Sequence, residues 1–121
     1  MLYVEDNQPN IRLVQSIFAQ RPNIELLVAT EGERGLRLAR EHGPDLVLLD
    51  LNLPDFHGVE VLRRLKSDPS THSIPVVVLS ADATAAQSRR LLSEGASSYL
   101  TKPIDVKEFL DCVDEELGCR Q

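Results

Sequence analysis

Residues 44–54 read PDLVLLDLNLP, and the apolar run LVLL at 46–49 ends on Asp50. A short, uninterrupted apolar run rich in branched side chains and bounded by proline and asparagine reads as a strand buried on both faces. Such strands belong in the middle of a parallel sheet covered by helices on either side. A carboxylate is rarely buried without a partner, so the position of Asp50 raises the question of which other residues meet it.

Four further runs resemble this one: LYV at 2–4, IELLVA at 24–29, IPVVVLS at 74–80 and SSYLT at 97–101, with DLVLLD at 45–50 as the third in chain order. Helical patterns separate them. Pro9 stands in a first turn, Thr30 with Glu33, Thr84 with Gln87 and Asp105 with Glu108 have capping-box spacing, and Gly43–Pro44 and Gly95 mark helix ends. Single apolar stripes run along these helices: Ile11, Val14 and Phe18, then Val59, Leu62 and Leu65, then Val106, Leu110, Val113 and Leu117. Strict alternation of five strands and five helices predicts an α/β fold, a (βα)5 doubly wound parallel sheet.

With 121 residues, 42% of them hydrophobic, and no linker or repeat, the chain reads as one domain spanning 1–121. A net charge of -6 argues against a nucleic-acid backbone or an anionic membrane as partner. No apolar run approaches the roughly 18–20 residues that span a bilayer, and the N-terminus lacks a signal-peptide pattern, so a cytoplasmic location is expected. Cys112 and Cys119 have no second ligand pair at zinc spacing and read as reduced bystanders. His57 likewise has no second imidazole at ligand spacing and reads as a loop residue.

In open α/β sheets, ligands bind beyond the carboxyl ends of the strands. Glu5 and Asp6 follow the first strand, Asp50 ends the third, Ser80 the fourth, and Lys102 follows the fifth. Singly, each has a structural explanation: Asp50 a turn former, Glu5 and Asp6 favourable charges at a helix start, Ser80 a strand-end hydroxyl, Lys102 a solvated charge. Together they form a chemically matched set. Carboxylates a few ångströms apart repel by about 4 kcal/mol per close pair at a surface dielectric, so they bind protons or share a cation. All-oxygen ligands point to Mg2+ or Mn2+, and Mg2+ completes its shell with water and phosphate oxygens. An ammonium and a hydroxyl suit a phosphoryl group, and Asp50, on the most central strand, is the candidate nucleophile for an aspartyl phosphate.

The motifs VEDN at 4–7, LLDLNLPD at 48–55 followed by Gly58, VVLSA at 77–81 and YLTKP at 99–103 resemble, in order and spacing, the receiver domain of two-component response regulators along essentially the whole chain. The resemblance implies a flavodoxin-like strand order of 2-1-3-4-5. It implies that Asp50 is the phospho-acceptor, Asp6 a direct metal ligand with Glu5 assisting through water, and the backbone carbonyl of Asn52 a further ligand. Ser80 matches the switch hydroxyl, Lys102 the lysine that pairs with the phosphoryl group, and Tyr99 the switch aromatic, for which a half-buried strand aromatic is the equal alternative. A cis peptide bond between Lys102 and Pro103 is implied as well. The implied partners are a histidine kinase or histidine phosphotransfer protein, with a phosphorylation-dependent dimer as a further implication. The domain would be a self-phosphorylating switch with autodephosphorylation, not an enzyme acting on other substrates.

Two residues depart from the commonest family pattern: Glu5 where Asp is frequent and Ser80 where Thr is frequent. The first strand has few residues ahead of it and only GCRQ follows the last helix, so a single-domain regulator and the receiver of a hybrid histidine kinase both stay open, with YVEDNQPN and LSADA closer to the hybrid class. Among rivals, a phosphohydrolase of the haloacid-dehalogenase type wants a second Asp where Asn52 stands. A flavodoxin-like cofactor site wants a Gly- or Ser/Thr-rich phosphate loop where the chain has EDN. An interaction module that has lost phosphorylation would not need the full acidic set.

Overall fold

Strand and helix alternate from end to end in the computed structural model, which describes residues 1–53, 58–81 and 84–117. The strands are β1 (Leu2–Val4), β2 (Leu27–Ala29), β3 (Val47–Asp50), β4 (Val76–Ser80) and β5 (Ser98–Thr101). The helices are α1 (Gln8–Phe18), α2 (Gly32–His42), α3 (Gly58–Ser67), α4 (Ala85–Ser93) and α5 (Val106–Glu116). All strand pairs are parallel, in the order β2-β1-β3-β4-β5. His57, Cys119 and the last two residues of the LLDLNLPD motif lie outside the described residues.

Side chains alternate across each strand and divide the core in two. Leu2, Val4, Val47, Leu49, Val76 and Val78 face a layer formed with α2, α3 and α4. Met1, Tyr3, Leu46, Leu48, Val77 and Leu79 face α1 and α5, where Phe18 and Phe109 meet edge to face at 5.7 Å. Every residue of β1, β3 and β4 is buried, which is why these segments read as continuous apolar runs.

Most helix punctuation acts as the sequence indicates. Asn7 caps α1 with Pro9 in its first turn, Thr84 accepts from the Gln87 N–H, and Asp105 accepts from the Glu108 N–H. Gly43 closes α2 in the left-handed conformation, with φ 55°. The Thr30–Glu33 capping box does not form: α2 starts after Glu31, which makes no side-chain cap bond, and Glu33 lies 3.6 Å from Arg37 one turn on. In α5 the expected Leu110, Val113 and Leu117 do pack against the α1/α5 core, and Val106 alone departs from the stripe. Val106 is 46% exposed at the first turn, while Phe109 and Val113 are buried and centre the stripe. The second strand is shorter than IELLVA, because Ile24 closes a turn onto the Arg21 carbonyl at 3.0 Å.

Candidate functional site

Parallel register decides which strand ends meet. Val4 pairs with Leu49, so one step further Glu5 stands beside Asp50; Ser80 pairs with Thr101, so Lys102 follows immediately. Alternation decides which way they turn. Tyr3, Leu48 and Leu100 belong to the α1/α5 layer, and two residues on from each come Glu5, Asp50 and Lys102. Ser80 instead continues the opposite face after Val78, the face against which Tyr99 packs half-buried.

The outcome is a compact charged cluster at the carboxyl edge. Oxygen atoms of Glu5, Asp6 and Asp50 lie within 4.8 Å of one another. Glu5 is fully buried, Asp50 nearly so, and Asp6 is exposed. Lys102 donates to Asp50 Oδ1 at 2.7 Å and to Glu5 Oε1 at 3.2 Å, while its own backbone N–H donates to the Ser80 carbonyl at 2.8 Å. The Lys102–Pro103 peptide bond is cis. Ser80 is buried at the end of β4, and Asn52 is exposed two residues beyond Asp50.

Two further residues belong to the cluster. The buried Tyr3 hydroxyl donates to Glu5 Oε1 at 2.8 Å, and Asn10 Nδ2 donates to the same oxygen at 3.3 Å. Both were legible in part: a tyrosine on a fully buried strand must find an acceptor for its hydroxyl, and Glu5 is the next residue on that face. Asn10 sits one helical turn beyond Asp6, at the start of α1.

Electrostatics follow from this crowding. Burial pushes Asp50 up to about 6, with the Lys102 hydrogen bond opposing and the adjacent Glu5 reinforcing the rise. Burial also raises Glu5, but hydrogen bonds from Asp50, Tyr3 and Lys102 outweigh it and hold this carboxylate below its ordinary value. Burial pushes Lys102 down, yet its bonds to Asp50 and Glu5 leave it above the ordinary lysine range, a firm ammonium. Tyr3 is raised by burial first and then by Glu5, so it keeps its proton and stays a donor.

Gly58 keeps the approach to this edge open. A Cβ at this first residue of α3 would lie 2.5 Å from Leu51 Cα and 2.9 Å from the Asp50 carbonyl oxygen, so only glycine lets the helix start this close to the backbone of Asp50 and Leu51. Its N–H donates to the Leu51 carbonyl at 2.9 Å, fixing that approach.

Among the described residues the donor set, the three carboxylates of Glu5, Asp6 and Asp50, fits a hard divalent cation. The Lys102 ammonium shares the space with Glu5 and Asp50, and a cation beside Asp6 would relieve the remaining charge.

The sequence profile of the response regulator receiver domain matches residues 1–114. The polar-differentiation response regulator DivK of Brucella ovis is 36% identical over 118 residues, spanning 98% of this chain and 95% of its own. A protein from Chloroflexus aurantiacus described as a response regulator superposes with a TM-score of 0.88 at 25% identity, over 97% of this chain and 95% of its own. The Mn2+-bound form of response regulator Rcp1 superposes with a TM-score of 0.76 at 31% identity, over 97% of this chain and 90% of its own.

Proposed function

From the premise that this chain belongs to the response regulator receiver domain family of two-component signalling, we propose that Asp50 is the residue phosphorylated and that residues 1–121 act as one receiver domain. The observation that carries the assignment is the pairing of Asp50 Oδ1 with Lys102 Nζ at 2.7 Å beside the carboxylates of Glu5 and Asp6.

In this reading an oxygen of Asp50 attacks the phosphorus of a phosphohistidine on a histidine kinase or phosphotransfer protein. The P–N bond breaks, and its electron pair returns to the imidazole nitrogen of the donor. Lys102, already an ammonium, moves its hydrogen bonds from the two carboxylates onto the incoming phosphoryl oxygens. Ser80 supplies a hydroxyl from the neighbouring strand end and, in turning to the phosphoryl group, passes the change to Tyr99 on the same face. Asp6, Glu5, Asp50 and the Asn52 carbonyl would hold Mg2+ or Mn2+, as the Mn2+-bound relative supports. When bound, the ion neutralises part of the phosphoryl charge. Water attack on the acyl phosphate ends the cycle, so the domain switches itself and turns over no other substrate. Among the described residues no helix is long and apolar enough to cross a membrane, and the acidic chain suits a cytoplasmic setting with protein partners and no nucleic acid. Dimerisation on phosphorylation belongs to the same reading.

Incubating the protein with acetyl phosphate and Mg2+ is expected to raise its intact mass by one phosphoryl group. Asp50→Asn, or chelation of the metal, is expected to prevent this. Equal labelling of wild type and Asp50→Asn would remove Asp50 from its role.

A further inference from the structure

Glu5 is a fully buried carboxylate, and its two oxygens are treated very differently. Oε1 accepts from Tyr3 at 2.8 Å, Lys102 at 3.2 Å and Asn10 at 3.3 Å, more than its two lone pairs satisfy well. The hydrogen bond described to Oε2 is from the Asn7 backbone N–H at 3.4 Å, and the Asp50 carboxyl is a further partner of the Glu5 carboxylate. Of the three donors to Oε1, Lys102 is shared with Asp50 at the shorter distance, and Asn10 reaches in from a partly exposed position. Tyr3 alone is fully buried, its ring held in the α1/α5 layer with Ile11, Val14 and Phe109.

We propose that Tyr3 is a positioning residue for the metal site: its hydroxyl fixes the Glu5 carboxylate with Oε1 turned into the protein and Oε2 left for the cation or its bound water. The inference rests on the metal site proposed above. It also accounts for Glu5 standing where an aspartate would leave the carboxylate short. An aspartate places its oxygens about 1.5 Å nearer the backbone, one bond length less reach toward the hydroxyl. Tyr3 in β1 and Glu5 just past its end are therefore a matched pair on one face of the sheet. The same bond has a second use. When Lys102 leaves Glu5 for the phosphoryl group, Tyr3 still satisfies the buried carboxylate, so Glu5 does not hold the lysine back.

Tyr3→Phe removes one oxygen and keeps the ring. Titration of the full chain with MgCl2, followed by backbone amide NMR shifts, is expected to show about tenfold weaker Mg2+ binding, as for other partners that orient metal ligands. A merely structural role would lower the unfolding midpoint but leave the affinity of the folded protein unchanged, and that result overturns the proposal. Glu5→Asp is expected to weaken binding in the wild-type background and to add little in the Tyr3→Phe background; fully additive losses would overturn the pairing. Should Tyr3→Phe fail to fold, Glu5→Asp decides alone, since unchanged Mg2+ affinity with Tyr3 present contradicts a matched pair. Absence of saturable Mg2+ shifts in the wild type would instead bring down the metal site itself, a failure distinct from that of Tyr3.

Discussion

β3 and β5 flank the same strand and have the same length, four residues each, yet all of β3 is buried and every residue of β5 is half-buried. The cause lies in place and composition. VLLD is covered on both sides in the middle of the sheet, whereas SYLT is an edge strand whose Ser98 hydroxyl is spent on Glu116 of α5 at 2.8 Å. Asp50 ends the first, and Lys102 follows the second. The fold thus mounts the carboxylate on a fully buried strand and the cation just past a less confined one. In the proposed transfer the attacking carboxylate needs a fixed position, whereas the ammonium, which here donates to Asp50 and Glu5 together, must shift onto the phosphoryl group.

The contrast can be tested at several strengths. Lys102→Ala removes the cation while leaving β3 intact, and phosphorylation by acetyl phosphate is expected to slow by about 100-fold or more, with far-UV circular dichroism unchanged. A small rate change would mean that the edge strand contributes little to the chemistry. Leu48→Ala, in the fully buried strand, is expected to lose about 2–5 kcal/mol in urea denaturation. Leu100→Ala, half-buried in β5, is expected to lose clearly less in the same assay, and equal losses would erase the distinction between the strands. Gly58→Ala presses a methyl group against the backbone at the end of β3. It is expected to lose about 1–3 kcal/mol and to weaken Mg2+ binding as Asp50 is displaced.

The pH effect is the smallest, because two groups oppose each other. Asp50 titrates near 6 against an ordinary 3.8, so the folded state prefers its protonated form. That contribution is complete below the ordinary value and is lost as pH rises through about 6. Glu5 is held below its ordinary 4.5, so its contribution is present above that value and is lost as pH falls. Without divalent cations, the wild type is expected to lose stability as pH rises from 4 to 6 and Asp50→Asn is expected to abolish that loss, measured by denaturant unfolding across the range. An identical pH profile in both proteins would place the titration elsewhere.

Much of this arrangement was legible because it depends on local pattern. LYV coincides with β1, and the acids, hydroxyl and lysine at the strand ends do gather at one edge, because a parallel sheet sends all its carboxyl ends the same way. Thr84, Asp105 and Gly43 cap as read, since each acts within one turn of its own helix. What escaped depends on neighbours distant in sequence or on helix phase. Thr30 has cap spacing, but the helix begins one residue later; Val106 fits a stripe that Phe109 occupies instead, through its contact with Phe18 on α1. The donors to Glu5 escaped for another reason. Tyr3 reads as one more core residue in an apolar run, and its hydrogen bond depends on a glutamate side chain reaching back along the strand.

The pairing of Val4 with Leu49 has a consequence for how the chain tolerates insertions and deletions. Loops at the amino edge of the sheet, such as the segment between α2 and β3, can lengthen while each strand keeps its partners. A single residue gained or lost between Leu2 and Asp6 would be different in kind. It would shift Glu5 out of register with Asp50 and turn the buried side chains of β1 toward the wrong core layer. The register of β1 is what sets Glu5 beside Asp50, so the start of this strand is where the chain can least afford to change its count.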